Sequence, residues 1–241
     1  MSFLLHIIKV GSTYPAIAAR FGDFESWIAD GLRLATVEVR VVNAKAGAEL
    51  PHPAKSAGII ATGSHSMITD DPPWSLTVEK WIPSVIRAGI PFLGICYGHQ
   101  LLARAAGGEA GYHPAGKEFG TVPVHLLPSC ADDPLFASLP GTFPVHATHS
   151  QSVLRLPPGA VRLAGSSHEP NHAFRLHNAW GIQFHPEYTA DIMRSYMTAD
   201  AQDLEAAGVN VTDLLAAVVE TPHAARVLTN FARLIEARQE R

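Results

Sequence analysis

Cysteine is scarce in this chain, which has only two cysteines, Cys96 and Cys130, among its 241 residues. If one of them is chemically reactive, the two cannot usefully pair as a disulfide. Unpaired cysteines fit a reducing compartment, so we expect a cytoplasmic protein. Cys130 has no motif around it and no base near it in sequence, and we interpret it as structural.

Long apolar runs are also missing, and none approaches the ~20 residues of a membrane-spanning helix. The apolar stretch 3–10 lacks a basic leader and a small-residue cleavage site, so it predicts a first strand rather than a signal peptide. Basic clusters are missing as well, and the formal net charge is −4. Nucleic-acid binding would require a stripe of Lys and Arg. We therefore expect neither a membrane nor a nucleic acid as a partner.

The composition that remains is typical of a globular protein. Apolar residues make up 47% and charged residues 17%, which excludes a disordered chain. A chain of this length allows one large α/β domain or two small ones. Because there is no internal repeat, low-complexity tract or linker, we predict one domain over residues 1–190. A helical C-terminal extension, residues 191–241, is predicted to pack on the same domain.

The first hundred residues alternate short apolar runs with stretches of helical periodicity. We predict strands at 4–10, 37–42, 58–61 and 90–95, helices at 14–34 and 74–88, and a loop or exposed turn at 43–57. This β-α-β-α order implies a mostly parallel central sheet with helices on both faces.

The character of the sequence changes after Gly107 and Gly108. Short segments punctuated by Pro and Gly predict later strands, some of them antiparallel, at 121–127, 143–146, 151–156, 161–165, 172–176 and 180–184. The chain is then predicted to be helical at 190–207, 212–219 and 222–240. The fold class is therefore α/β, with antiparallel strands in the later half.

The stretch around Cys96 predicts a strand-to-helix nucleophile elbow. An apolar strand ends at Ile95, a helix starts near Gly98, and Gly94 and Gly98 each lie two residues from the cysteine. Small neighbours are needed because a Cβ at either flank would collide in so tight a turn. The N–H groups at the start of the helix would point at the sulfur and favour its thiolate form.

Residues 94–100, Gly-Ile-Cys-Tyr-Gly-His-Gln, resemble the nucleophile motif of class I (triad-type) glutamine amidotransferases. The closest resemblance is to the glutaminase domain of GMP synthetase. Residues 181–187, Gly-Ile-Gln-Phe-His-Pro-Glu, resemble the histidine and glutamate motif of the same family, and His185 lies 89 positions after Cys96. The resemblance covers most of residues 3–190 and implies a flavodoxin-like fold.

The resemblance implies hydrolysis of L-glutamine to L-glutamate and ammonia. Cys96 would attack the side-chain amide and form a γ-glutamyl thioester. His185 would take the thiol proton and pass it to the departing ammonia, and Glu187 would orient the imidazole. Because strand periodicity is two, we expect the side chains of His185 and Glu187 to point the same way along a segment that Pro186 keeps extended.

The remaining site residues are carried over from the family by position. The backbone N–H groups of Tyr97 and of Gly63 would form an oxyanion hole. Relatives usually read Gly-Gly-Pro where this chain has Gly63-Ser-His, so Gly63 is the safer assignment. Gln100 and the segment at His149 and Ser150 would line the pocket for the α-amino and α-carboxylate groups of glutamine.

We predict no cofactor and no metal site. His146 and His149 are three residues apart, so they would face opposite sides of a strand. The chain has no ATP-binding signature, so we expect a separate ATP-dependent synthase subunit, similar to that of GMP synthase, to receive the ammonia. Two alternatives stay open: a hydrolase of γ-glutamyl amides or conjugates, and a catalytically silent binding or regulatory protein with the same fold.

Overall fold

The computed structural model describes residues 4–34 and 36–239. The strands are β1 Leu4–Lys9, β2 Glu38–Asn43, β3 Ser56–Ala61, β4 Phe92–Ile95, β5 Glu109–Tyr112, β6 Glu118–Leu126, β7 Thr142–His149, β8 Gln151–Arg155, β9 Val161–Gly165, β10 Ala173–Leu176 and β11 Ala179–Ile182. The helices are α1 Pro15–Phe21, α2 Phe24–Leu32, α3 Pro73–Arg87, α4 Tyr97–Ala105, α5 Ala190–Ala199, α6 Ala201–Ala206, α7 Val211–Ala216 and α8 Pro222–Gln239.

A nine-stranded sheet organises the molecule, in the order β2-β1-β3-β4-β11-β10-β9-β6-β7. Its first five strands are parallel, and the pairs from β11 to β7 are antiparallel. Strands β5 and β8 form a separate two-stranded sheet. The predicted α/β fold, with a parallel first half and antiparallel strands later, is confirmed.

Alternate side chains of the central strands enter two different hydrophobic cores. In β1, Leu5 and Ile7 pack with α2 and α8 on one face of the sheet, whereas Ile8 packs with α3 and α4 on the other face. Helices therefore cover both faces of the central strands, which is the reason that β3 and β4 are mostly apolar, whereas the edge strand β2 carries exposed polar residues. None of the helices in the described part of the chain has the length and apolarity required to cross a bilayer.

Several predicted elements differ from the observed ones, and turn chemistry is the usual reason. The helix predicted at 14–34 is two helices, because Gly22 adopts a positive φ of 85° and Asp23 caps α2 in a capping box with Ser26. The loop or exposed turn predicted at 43–57 contains two short 3₁₀ turns, but β3 already begins at Ser56. Strand β5 was not predicted at all, since four residues carry little periodicity.

The C-terminal segment is helical, as expected, with one more break than predicted. The helix predicted at 190–207 is interrupted at Asp200, which lies between α5 and α6. The last helix, α8, buries Val227 and Phe231 against the core that contains α2. The predicted end of this helix at residue 240 lies outside the described residues. The division of the chain at residue 190 stays a prediction.

Candidate active site

Cys96 lies between β4 and α4 with strained backbone angles, φ 51° and ψ −99°. The glycines on either side make this turn possible. A Cβ at Gly94 would lie 2.2 Å from the carbonyl oxygen of Gly98, and a Cβ at Gly98 would lie 2.5 Å from the carbonyl oxygen of Ala61 in β3. The sequence pattern therefore corresponds to a real elbow, and Gly98 is needed for contact with the neighbouring strand as well as for the turn.

His185 follows β11, the parallel neighbour of β4, so it comes to the same edge of the sheet as Cys96. Its backbone N–H donates to the carbonyl oxygen of His146 at 2.9 Å, which ties the segment to β7. Its Nδ1 atom lies 2.7 Å from Oε1 of Glu187. Both side chains are buried. A carboxylate at this distance fixes the imidazole ring so that Nε2 is directed away from Glu187.

The way in which His185 and Glu187 meet differs from the expectation. The segment is not extended: Pro186 and Glu187 form a turn, and the N–H of Tyr188 donates to the carbonyl oxygen of His185 at 3.4 Å. The turn brings the carboxylate back beside the ring. Proline is compatible with this geometry because its fixed φ suits a turn as well as an extended strand.

The thiol of Cys96 and the imidazole of His185 are adjacent. A Cβ added to Gly63 would lie 3.1 Å from Cε1 of His185 and 3.7 Å from Cβ of Cys96, so all three residues meet at one point. Burial by itself lowers the pKa of His185, but the charge of Glu187 and the hydrogen bond and charge of Cys96 outweigh it and raise that pKa above its ordinary value. The imidazole is therefore a good proton acceptor.

Aromatic rings hold the His185 ring in place. Tyr188 stacks on it at a centroid distance of 4.1 Å, and Phe24 lies nearly parallel to it at 6.2 Å. Tyr188 stacks in turn on Tyr196, whose hydroxyl is 2.6 Å from that of Thr13. A π face against an imidazole favours its cationic form. None of these residues was singled out in the sequence, although Tyr188 directly follows the His-Pro-Glu motif.

Two backbone N–H groups were expected to form an oxyanion hole, and the structure brings both residues to the thiol. Tyr97 is the first residue of α4, and the first N–H groups of a helix have no partner within it. The Tyr97 side chain is turned away, with its hydroxyl 2.8 Å from that of Ser75. Gly63 follows β3 and contacts Cys96 and His185, as described above. Their roles stay predictions.

Gln183 is a polar neighbour of the Cys96 thiol, and the sequence analysis did not predict it as a site residue. Its Nε2 atom donates to Sγ of Cys96 at 3.5 Å, and its Oε1 atom accepts from Nε2 of Gln100 at 3.3 Å. Gln183 lies in the second motif, two residues before His185, and this spacing was the available signal. Gln100 also donates to the carbonyl oxygen of Gln151 at 2.7 Å, so its amide group is committed to the protein.

A cleft of about 130 Å³ opens above Cys96. This volume is well below the ~300–1,000 Å³ of pockets for drug-sized molecules, so the cleft suits a small substrate. It is lined by the following residues: Tyr14, Ser64, His65, Ser66, Met67, Cys96, Tyr97, Gln100, Lys117, Thr148, His149, Ser150, Gln151, Tyr196 and Asp200. The predicted substrate-binding residues Gln100, His149 and Ser150 are among them.

A buried charged cluster lies directly behind His149. Oε2 of Glu118 accepts from Nε2 of His149 at 2.9 Å, and Nε2 of His172 lies 3.1 Å from the same oxygen. Ser166 donates to the other carboxylate oxygen at 3.3 Å. Burial alone would raise the pKa of Glu118, but the two imidazoles hold it well below its usual value. The carboxylate thereby fixes the strand end that forms one wall of the cleft.

We expect Glu118→Ala to destabilise the protein by about 3–5 kcal/mol, because it removes the buried acceptor of His149 and the carboxylate beside the buried His172 ring. Since the pKa of Glu118 is depressed in the folded state, its stabilisation is fully present above the unfolded pKa near 4.5 and is lost as the pH falls through the folded pKa. Urea unfolding at pH 7 and pH 4 measures both effects. The difference between variant and wild type should shrink at the lower pH.

Glu38→Ala is the matched control for this experiment. Glu38 lies on β2, and its carboxylate is 58% exposed and 3.9 Å from Arg40. Exposed ion pairs contribute little, so this substitution should change the free energy of unfolding by no more than about 0.5 kcal/mol. A Glu118→Ala protein as stable as Glu38→Ala would show that the buried cluster does not support the cleft.

Fold and site together define an α/β protein with a nucleophile elbow and a thiol, imidazole and carboxylate at one sheet edge. The model of the glutamine amidotransferase class-I family matches residues 20–202, and the chain belongs to this family. The predicted family resemblance is therefore confirmed. In the part of the chain that the structure describes, no three His, Cys, Asp or Glu side chains are grouped so as to hold a metal ion.

The proteins similar to this chain include GMP synthases and a glutamine amidotransferase. The chain is 38% identical over 139 residues to a glutamine-hydrolysing GMP synthase from Thermomicrobium roseum, and 34% identical over 171 residues to one from Aeropyrum pernix. These matches cover 57% and 69% of this chain but only 24% and 31% of the relatives. A solved glutamine amidotransferase from Thermotoga maritima shares the fold, with a TM-score of 0.76 at 22% identity over 98% of this chain and 99% of that one.

Proposed function

We propose that this protein hydrolyses the side-chain amide of L-glutamine with Cys96, His185 and Glu187 as a catalytic triad. The observation that carries the proposal is that these three groups meet at the elbow. Oε1 of Glu187 lies 2.7 Å from Nδ1 of His185, and the His185 ring is also hydrogen-bonded to the thiol of Cys96. Nucleophile, base and orienting acid are the parts that acyl transfer by a thiol requires.

The geometry supports the following mechanism. His185 accepts the thiol proton, and its raised pKa favours this transfer. The sulfur attacks the carbonyl carbon of the side-chain amide, and the N–H groups of Tyr97 and Gly63 stabilise the oxyanion that forms. His185 then protonates the leaving ammonia, and a γ-glutamyl thioester remains on Cys96. Water activated by the same imidazole releases L-glutamate.

We further propose that the ammonia passes to an ATP-dependent synthase. The curated relatives are GMP synthases, and this chain spans about a quarter to a third of their length. The matched part carries the glutamine-hydrolysing motifs, and amination needs further machinery. A GMP-synthase-like acceptor is therefore the reaction partner that the relatives favour.

The purified protein is expected to release ammonia and L-glutamate from L-glutamine, and a glutamine-like alkylating agent is expected to modify Cys96. Coupled glutamate detection and peptide mass spectrometry measure the two results. Cleavage of γ-glutamyl amines with no turnover of L-glutamine would instead establish a γ-glutamyl hydrolase. No turnover of either substrate, with no label on Cys96, would identify a silent binding protein.

A further inference from the structure

One ion pair lies in the wall of the cleft. Nζ of Lys117 donates to Oδ2 of Asp200 at 2.8 Å, and the hydroxyl of Tyr14 donates to the other carboxylate oxygen at 2.6 Å. Lys117 immediately precedes β6, and Asp200 lies between α5 and α6. Among the described residues that line the cleft, Lys117 is the only Lys or Arg, and Asp200 is the only carboxylic acid.

Three other polar side chains that line the cleft, those of Gln100, His149 and Gln151, make hydrogen bonds within the protein. Gln100 donates to the carbonyl oxygen of Gln151 at 2.7 Å. The two ring nitrogens of His149 lie 3.2 Å from that same carbonyl and 2.9 Å from Glu118. The amide oxygen of Gln151 accepts from the N–H of Ile68 at 2.6 Å. These groups shape the cleft, but they have few hydrogen bonds left for a charged ligand.

His65 adds no charge to the cleft either. Its Nε2 atom is 3.2 Å from the hydroxyl of Tyr196, and burial lowers its pKa, so the ring is neutral at neutral pH. By contrast, the Lys117 ammonium has three N–H donors and uses one of them on Asp200. It also lies over the Phe119 ring, 4.3 Å from the ring centroid, and its side chain is 36% exposed. A carboxylate has about four acceptor sites, and two contacts to Asp200 are accounted for.

We propose that Lys117 and Asp200 recognise the α-amino acid head group of the substrate. An α-amino acid carries one cation and one anion on the same carbon, and this pair presents one charge of each sign 2.8 Å apart. Lys117 binds the α-carboxylate, and Asp200, held by Tyr14, binds the α-ammonium. The inference rests on the proposed glutaminase function and narrows it to substrates with free α-amino and α-carboxyl groups.

This assignment gives the segment after residue 190 a role in specificity. Asp200 is contributed by the break between α5 and α6, and it is only 9% exposed. Charges at this depth are screened less than surface charges, so they discriminate between ligands more strongly. A glutamine residue inside a protein has both α groups blocked, and it would leave Lys117 and Asp200 without their substrate partners.

Two truncated substrates separate the two contacts. Glutaramate is glutamine without the α-amino group, and 4-aminobutanamide is glutamine without the α-carboxylate. Hydrogen bonds to charged groups correspond to about ten- to hundredfold in affinity. Asp200→Asn should lower kcat/KM for L-glutamine by about that factor. The kcat/KM of the same variant for glutaramate should stay within about threefold of the wild-type value. Lys117→Gln should likewise lower kcat/KM for L-glutamine, and its kcat/KM for 4-aminobutanamide should stay within about threefold of the wild-type value.

Both losses should appear in KM, with kcat changed less than about threefold, because head-group binding is equal in ground and transition states. Matched controls are Asp203→Asn on α6 and Lys80→Gln on α3, both on exposed side chains outside the cleft. Neither control should change KM for any of the three substrates. Circular dichroism and thermal unfolding of each variant verify that the comparison is between folded proteins.

The outcomes distinguish this proposal from the one on which it rests. If the ion pair only braces the fold, each substitution lowers kcat/KM by the same factor for the intact and the truncated substrates, and the inference is wrong. If wild-type protein releases no ammonia from L-glutamine at all, the glutaminase proposal fails and this one fails with it. A loss of kcat/KM for L-glutamine that is larger than the loss for the matching truncated substrate supports both the glutaminase proposal and the head-group assignment.

Discussion

Cys96→Ala should abolish glutamine hydrolysis, lowering kcat by at least about a thousandfold, while the protein folds normally. The substitution removes the only atom that can form the thioester and leaves the backbone of the elbow unchanged. Alanine has the same Cβ as cysteine, so it meets the same strain at φ 51°. Ammonia release and thermal unfolding measure the two effects, and the free energy of unfolding should change by about 1 kcal/mol or less.

Cys130→Ala provides the matched thiol control. Cys130 is buried, its thiol donates to the carbonyl oxygen of Leu163 at 3.0 Å, and burial with the nearby Asp133 carboxylate raises its pKa to about 11. It is therefore an inert thiol, and its loss should leave kcat within about threefold of wild type. Residual turnover of Cys96→Ala within tenfold of wild type would contradict the thioester mechanism.

Gly94→Ala should lower kcat/KM by about a hundredfold or more and destabilise the protein by about 2–4 kcal/mol. The added Cβ would lie 2.2 Å from the oxygen and 2.4 Å from the carbon of the Gly98 carbonyl group. These are backbone atoms at the start of α4, so no side-chain rotation can relieve the overlap. The helix must shift, and the thiol shifts with it away from His185.

Gly141→Ala tests the same substitution where space is open. A Cβ at Gly141 meets nothing within 4 Å, and the residue is exposed before β7. We expect this variant to match the wild type in activity and to change the free energy of unfolding by about 0.5 kcal/mol or less. Steady-state kinetics and urea unfolding of the two variants side by side decide the question. Wild-type behaviour of Gly94→Ala would refute the steric account of the elbow.

Contiguous motifs made the chemical part of the site predictable. The spacing of Gly94, Cys96 and Gly98 encodes a turn that few other residues could form, and the structure has this turn. The location of His185 at the same sheet edge as Cys96 could also be predicted, because His185 follows a strand and neighbouring parallel strands end at the same edge. The predicted extended backbone at Pro186 was wrong, because proline is equally suited to the turn that forms there.

Residues that reach the site from distant segments left no such signal. Phe24 stacks on the His185 ring from α2, and Lys117 and Asp200 border the cleft from positions 83 residues apart in the chain. None of them belongs to a motif. Each is near Cys96 only because helices and strands far apart in sequence pack together, and local periodicity carries no information about such contacts.

The sequence alone determined the α/β class, the family and the three residues proposed for catalysis, because each depends on local spacing or on a contiguous motif. Tertiary packing decided how these residues are held: the turn at Glu187, the rings around His185 and the carboxylate of Glu118 behind the cleft. It also decided which charged side chains line the cleft. The physical reason is that the residue type alone sets the chemical nature of a side chain, whereas its burial and its partners depend on every element that packs around it.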